Sequence, residues 1–317
     1  MSGDLRAEAL RELSHEVVTL DYRASIASWK RRWLPAVAAR QAAATLHRVA
    51  KHGAFDLIIV LKGELYTATS IRRLRRNTGT PVVNWFPDDP HMLSLSRRIA
   101  PGYDLFFTHD SYAVEVVRSS GVRSVRYLPF GCHPAVHHPY SFEAGRDDEY
   151  RVPVAFVGTF SPVRQRFVAS LTDIGLHVWG PGWEGRRIPG VRVHDRPLYG
   201  EAMFRVFSNA DVCVNVHQNF GRDVRDYGYG ANSRVFEVTG CGGVLVSDRK
   251  RDLVRLFDEG SEVVCYETFA ELREHVRGLL QNPGRRYSLR TAGRRRALTD
   301  HTLRHRFQEM LDAVADL

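Results

Sequence analysis

Short apolar runs alternate with amphipathic stretches along almost the whole chain. HEVVTLD (15–21), FDLIIVL (55–61), PVVNWF (81–86), YDLFFTH (103–109) and SVRYLPF (124–130) have the length and the β-branched and aromatic content of buried parallel strands. Between them PAVAARQAAATLHRVAKHG (35–53), SIRRLRRN (70–77), SLSRRI (94–99) and SYAVEVVRSSG (111–121) read as helices, with Gly53 and Gly121 at expected C-caps. A further helix is expected at 4–14. HPAVHHPYSFEAGRDDEYR (133–151) has prolines, mixed charge and no apolar period, so it reads as a linker.

The alternation then resumes. Strands are expected at 152–158, 176–180, 211–217, 243–248 and 262–266. Helices are expected at 162–174, 199–208, 233–240, 250–258 and 268–280, and two more at 284–298 and 302–315 close the chain. The pattern predicts an α/β protein of two doubly wound Rossmann-like domains facing a cleft. The first occupies 1–135, a linker 136–151 and the second 152–300. Open α/β sheets bind ligands at the carboxyl ends of their strands, so the residues just after each strand are the ones to search.

Composition narrows the classes. With 44% hydrophobic and 26% charged residues in 317, the chain can build buried cores, which excludes wholesale disorder and a coiled coil. It holds no apolar run long enough to span a membrane and no secretory core at MSGDLRAEAL. The four cysteines, Cys132, Cys213, Cys241 and Cys265, lie far apart without metal-ligand spacing. A reduced, cytoplasmic, soluble protein is the expectation.

The net charge of +9 points to an anionic partner of some kind. Eleven basic residues against Asp56 and Glu64 lie between Lys30 and Arg76, a local excess equal to that of the whole chain. Only four of the 45 basic residues are lysines; arginine suits bidentate phosphate binding, and a GC-rich genome gives the same bias. Trp29-Lys-Arg-Arg-Trp33 fits a contact with an anionic membrane surface or acceptor, or a solvated loop with the rings packed beneath it, the reading we favour from sequence. No helix-turn-helix, zinc-finger or RNA-binding signature supports a nucleic-acid role.

Candidate chemistry gathers after the strands of the second half. Gly158 and Thr159 follow a strand and precede a helix whose first turn holds Arg164 and Arg166, an arrangement that suits a phosphate. Asn232 or Ser233 is a natural N-cap for the next candidate helix, with Arg234 in its first turn and Glu237 three residues on. An anion on that N-terminus leaves Glu237 placed for a ribose diol; the alternative is a plain cap with an Arg–Glu pair. The stretch 219–231, rich in glycine and tyrosine, reads as a ligand-covering loop after Asn215 and His217. Trp179-Gly180-Pro181-Gly182-Trp183 offers either a platform for a flat base or a tight turn with packed aromatics.

In the first half, Asp88, Asp89 and His91 follow a strand, where strand-end loops should face the cleft and a carboxylate or histidine can accept a proton. The alternative is a proline-bracketed turn with Asp89 capping the next helix. His109 and Asp110 are a second candidate pair, with Asp110 or Ser111 as an N-cap.

The second half resembles GT-B glycosyltransferases, most closely those of the spore-maturation CgeB type. YLPFGCHP (127–134), VAFVGTFSPVRQRF (154–167), HVWGPGW (177–183), DVCVNVH (211–217), NSRVFEVTGCGGVLVSD (232–248) and GRRRALTDHTLRHR (293–306) carry the likeness. The resemblance implies a nucleotide-diphosphate sugar donor, with Gly158 and Thr159 facing the diphosphate, Arg234 neutralising it and Glu237 holding the ribose. Asn215, His217 and the loop before Asn232 would contact the donor, and Trp179 to Trp183 the base. It implies no cofactor and no metal, an unidentified hydroxyl acceptor on the first domain, and a last helix, within 301–317, returning to that domain. It also implies a strand and glycine loop ahead of the first helix, which this sequence lacks. Nucleotide-sugar epimerases share the fold and donor site, and a non-catalytic nucleotide-binding protein would keep the donor site alone.

Overall fold

The computed structural model describes residues 3–24, 26–217 and 228–317. The expected ligand-covering loop lies outside the described residues as far as 227. Two compact units divide the chain, one of Met1–Pro129 with Phe307–Leu317 and one of Phe130–Arg306.

The first unit opens with helices α1 (Gly3–Arg11), α2 (Ser28–Trp33) and α3 (Pro35–His52). It continues through β1 (Ile58–Leu61), α4 (Ala68–Thr78), β2 (Val82–Phe86), α5 (Leu93–Ile99), β3 (Leu105–Thr108), α6 (Ser111–Ser119) and β4 (Val125–Tyr127). All four strands are parallel and lie in chain order, β1-β2-β3-β4. A doubly wound sheet reverses its order at one point; the four strands described here show no reversal, and the described residues hold no strand before Ile58.

Local signals fix the ends of these elements. Thr67 and Ser70 form a capping box at the start of α4, and Gly79 closes it with a left-handed φ of 70°. Asp110 caps α6, accepting from the amides of Tyr112 and Ala113. Apolar faces of the helices then bury Ile71, Leu74, Val114 and Val117 against Val82, Phe86 and Phe106. Each such side chain contributes about 1.5–3 kcal/mol on burial.

Two expectations fail here. HEVVTLD forms no strand, and Val18 within it is 61% exposed. The run has the composition of a strand, but no described strand pairs with it. Trp29 to Trp33 form a helix instead of a loop, and their rings are 54% and 70% exposed rather than packed beneath.

The second unit runs β5 (Val154–Val157), α7 (Pro162–Ala169), β6 (Leu176–Trp179), β7 (Arg192–Val193), α8 (Gly200–Asn209), β8 (Val212–Asn215), α9 (Ser233–Gly240) and β9 (Leu245–Asp248). It ends with α10 (Leu253–Leu256), β10 (Val264–Tyr266), α11 (Phe269–Gln281) and α12 (Pro283–Asp300). A last helix, α13 (Leu303–Ala315), carries the chain back to the first unit's residues, where Phe307 meets Trp85 edge-on at 5.7 Å.

The second sheet is wholly parallel, in the order β10-β9-β8-β5-β6-β7. The chain builds outward from β5, then returns to the other side of β5 with β8. That reversal opens a crevice at the carboxyl ends of β5 and β8, where such sheets bind ligands.

The stretch 136–151, expected as a linker, is held within this unit. Asp147 is fully buried and accepts from Arg205 Nη1 at 2.9 and 3.2 Å, while the same guanidinium reaches Glu143 and Glu201.

Candidate functional site

The crevice of the second unit begins with two strand ends held very close. Gly158 N–H donates to the Trp179 carbonyl at 2.9 Å, and Phe160 N–H to that of Pro181 at 2.8 Å. Gly180 makes this approach possible: its φ is +147°, and a Cβ there would lie 2.1 Å from the Gly158 carbonyl oxygen. Trp183 locks the turn, donating its indole N–H to the Gly158 carbonyl at 2.8 Å and meeting Phe160 edge-on. A Cβ on Gly158 would press on the Phe156 ring at 2.9 Å, so packing alone accounts for that glycine.

Trp179 and Trp183 are both fully buried, and Trp179 stacks on His194 at 4.2 Å. Neither ring offers a free face, so the base platform expected from the sequence is corrected to a packed turn. Glycine-flanked aromatics look the same in sequence whether they serve a ligand or a core.

Arg164 bridges the crevice. Ser161 caps α7 by accepting from the Arg164 amide, which fixes the residue in the first turn. Its guanidinium is buried, donating to the Thr159 carbonyl at 2.9 Å and to the Val216 carbonyl at 3.2 Å. One cation thus ties the end of β5 to the end of β8, and burial lowers its pKa to about 10. Thr159 and Arg166 are exposed beside it.

On the other wall, strand pairing sets Asn215 beside Ser247. Asn215 Nδ2 donates to Ser247 Oγ at 2.9 Å, and its amide pairs with that of Asn232 at 3.2 and 3.3 Å. His217 follows. Its Nδ1 lies 2.6 Å from Asp248 Oδ1, and its Nε2 accepts the Asn232 backbone N–H at 3.0 Å. Those roles place a hydrogen on Nδ1 and leave Nε2 as the acceptor. Burial opposes ionisation of Asp248, but the His217 ring and its backbone N–H, together with Lys250, outweigh it and hold the carboxyl below its ordinary range.

His217 therefore pins the start of α9. Asn232 occupies the N-cap position but spends its side chain on Asn215, so no side chain caps this helix. The first-turn amides of Ser233 and Arg234 sit half-buried at the positive end of the helix dipole. Arg234 Nη1 reaches Glu237 Oε2 at 2.5 Å, and its guanidinium lies 4.8 Å from the Phe207 ring centre. Glu237 is buried; Arg234 overcomes the cost of that burial and holds the carboxyl below its ordinary range. Arg234 and Glu237 thus form the pair of the alternative reading, but with Glu237 buried and without the side-chain N-cap that reading includes.

Asp248, Ser247 and Lys250 were not anticipated. Lys250 is buried, with Nζ 3.5 Å from the Gly228 carbonyl. The signal was present, since GVLVSD turns from apolar to polar at the carboxyl edge of the sheet.

In the first unit, Asp88, Asp89 and His91 occupy one loop after β2 but three environments. Asp88 is partly exposed and pairs with Lys62 Nζ at 2.5 Å. Lys62 itself follows β1 with a φ of +65°, a left-handed conformation that a residue with a side chain adopts at a cost. Asp89 is buried and accepts from Ser96 Oγ at 2.6 Å. Burial raises its pKa to about 6, aided by the charges of Asp110 and Asp88 and opposed by Ser96 and Thr108. The N-cap of α5 is Met92, so Asp89 does not cap that helix. His91 is exposed and His109 buried.

Residues 164–312 match the family model described as Glycosyl transferase-like. Among solved structures, Alr3699/HepE of Anabaena in complex with UDP-glucose is similar at 12% identity, covering 87% of this chain and 82% of that one, with a TM-score of 0.62. Sucrose-phosphate synthase of Thermosynechococcus elongatus matches at 15% identity over 90% and 79%, TM-score 0.64. A glycosyltransferase of Rickettsia africae matches at 9% over 96% and 86%, TM-score 0.61. No curated protein sequence gives a significant match. The chain has the GT-B fold of two Rossmann-like units, and its residues 164–312 are similar to the glycosyl transferase-like family model.

Proposed function

We propose that the protein is a glycosyltransferase of the CgeB type that moves a hexosyl group from a nucleotide-diphosphate sugar to a hydroxyl acceptor. The observation that carries this reading is the uncapped, half-buried start of α9 beside Arg164 at the reversal point of the second sheet. The helix start offers two first-turn amides and the positive end of a dipole, and Arg164 and Arg234 lie near enough to act on each other electrostatically, an arrangement suited to a diphosphate. Structural neighbours solved with UDP and UDP-glucose support the same ligand class.

The diphosphate competes with Glu237 for Arg234. Once exchanged, Arg234 neutralises the leaving group and Glu237 is free to accept from the ribose hydroxyls. The acceptor oxygen attacks the anomeric carbon, and the bond from that carbon to the β-phosphate oxygen breaks with its electron pair on the diphosphate. Helix amides and arginines supply the charge stabilisation, so the reading includes no metal. If the configuration inverts, Asp88 takes the acceptor proton, because it is accessible where Asp89 is enclosed. Four buried free thiols fit a reducing cytoplasm.

Calorimetric titration with UDP, GDP, dTDP and their sugars tests the donor site. One nucleotide class binds, and Arg234→Ala weakens it at least tenfold, about 1.4 kcal/mol for one charge-assisted contact. Failure of every nucleotide to bind sinks the reading. Product analysis with donor alone separates an epimerase, which would release an altered nucleotide sugar.

A further inference from the structure

The charge excess between Lys30 and Arg76 is left unused by the donor site, and so are two tryptophans. Of the five in the chain, Trp85, Trp179 and Trp183 are buried, whereas Trp29 and Trp33 are 54% and 70% exposed. The exposed pair lies four residues apart on α2, one helical turn, and so on one face. Leu34 and Val37, each 44% exposed, follow directly in the chain. Leaving so much large apolar surface in water is costly, and a contiguous patch of it marks an interaction site.

Cations surround the patch. Lys30 lies over the Trp29 ring and Arg32 over the Trp33 ring, at 5.6 and 5.3 Å. Among the described residues, neither these nor Arg31 pairs with a carboxylate. The two acidic residues within 30–76 do not offset them: Glu64 is taken by Arg23 and Tyr22, and Asp56 pairs with none of the three. The exposed face of α3 continues the charge. Val37, Arg40, Arg48 and Lys51 recur at helical spacing on the side opposite buried Ala38, Ala42 and Ala50. From Val37 to Lys51 this stripe runs about 21 Å.

We infer that α2 and the outer face of α3 form a docking surface for an anionic lipid bilayer. Tryptophan settles at the level of the headgroups, where its apolar ring is buried and its N–H stays wet. Arginine and lysine flanking it meet the anionic phosphates, and long stems let their charges reach the headgroup plane. No helix of the described residues is long and apolar enough to cross a membrane, so the contact is peripheral. The surface lies wholly in the first unit and does not depend on the donor-site reading.

The test is co-sedimentation of the whole protein with vesicles of phosphatidylcholine alone and of phosphatidylcholine with about one-third phosphatidylglycerol. Binding to the anionic vesicles is expected, at least tenfold stronger than to the neutral ones and weakening with salt. Tryptophan emission should shift to the blue on binding, a change that only Trp29 and Trp33 are placed to give. Trp29→Ala with Trp33→Ala should reduce binding at least tenfold and abolish the shift. Lys30→Glu with Arg31→Glu should do the same through charge. All four side chains are surface groups, and an unchanged circular dichroism spectrum confirms folding. Absence of binding to anionic vesicles at low salt overturns the inference. So does binding that survives the tryptophan variant, and so does a polyanion such as RNA that binds as well and gives the same blue shift.

Discussion

Asp89 gives the sharpest test of the first unit. Its carboxyl titrates near 6 against an ordinary 3.8, chiefly because burial disfavours the charged form. Between those values the folded protein holds a proton that the unfolded chain has released. Stability from this group is therefore complete below about pH 3.8 and falls as pH rises towards 6. The gap corresponds to a ceiling of about 3 kcal/mol. Asp89→Asn keeps the acceptor for Ser96 Oγ and removes the titration. Above pH 7 the variant should gain about 2 kcal/mol, with part of the ceiling lost to placing a new amide N–H₂ group. With a urea slope of about 2 kcal/mol/M, the midpoint rises by about 1 M at pH 8 and falls slightly near pH 4, where the amide cost outweighs the linkage gain. A shift of equal size and sign at both pH values would refute the argument, because it would show packing rather than proton linkage. Activity should survive this substitution and be lost in Asp88→Asn if the transfer inverts.

Three further outcomes follow from geometry. Arg205→Ala leaves Asp147 buried without its cation and should cost about 3–5 kcal/mol, measured by denaturant unfolding; adding Asp147→Asn should recover part of that, and a loss below about 1 kcal/mol would contradict the burial assigned to the pair. Gly180→Ala puts a Cβ 2.1 Å from the Gly158 carbonyl at a φ of +147°, so the melting temperature should fall by several degrees; a variant as stable as the parent would mean the strand ends are looser than described. Asp248→Asn frees the His217 ring to move its proton to Nε2, opposite the Asn232 N–H, and nucleotide binding should weaken about tenfold; unchanged affinity would remove His217 from the site's support.

Most of the secondary structure was legible because its signals are local. The apolar runs at 154–157, 176–179, 212–215 and 245–248 became strands, and Asp110 caps α6 as its residue type announces. What depends on register was not legible. His217 meets Asp248 across 31 residues only because β8 and β9 pair with Asn215 beside Ser247. Aromatic residues were the least legible. Trp179 and Trp183, next to glycines, fit an open platform or a packed turn in sequence and are enclosed; Trp29 and Trp33, among charges, suggest packed rings and are exposed. Burial is decided by what the rest of the chain brings alongside, which the local sequence does not contain.

The central claim is that the reversal point of the second sheet binds a diphosphate through α9, Arg164 and Arg234. Titrating the protein with a nucleoside, its monophosphate and its diphosphate tests it most directly. Affinity should climb with each phosphate, by about tenfold or more from nucleoside to diphosphate, and most of that gain should vanish in Arg234→Ala. Equal affinity for the three ligands, or a gain that Arg234→Ala leaves intact, would contradict the account.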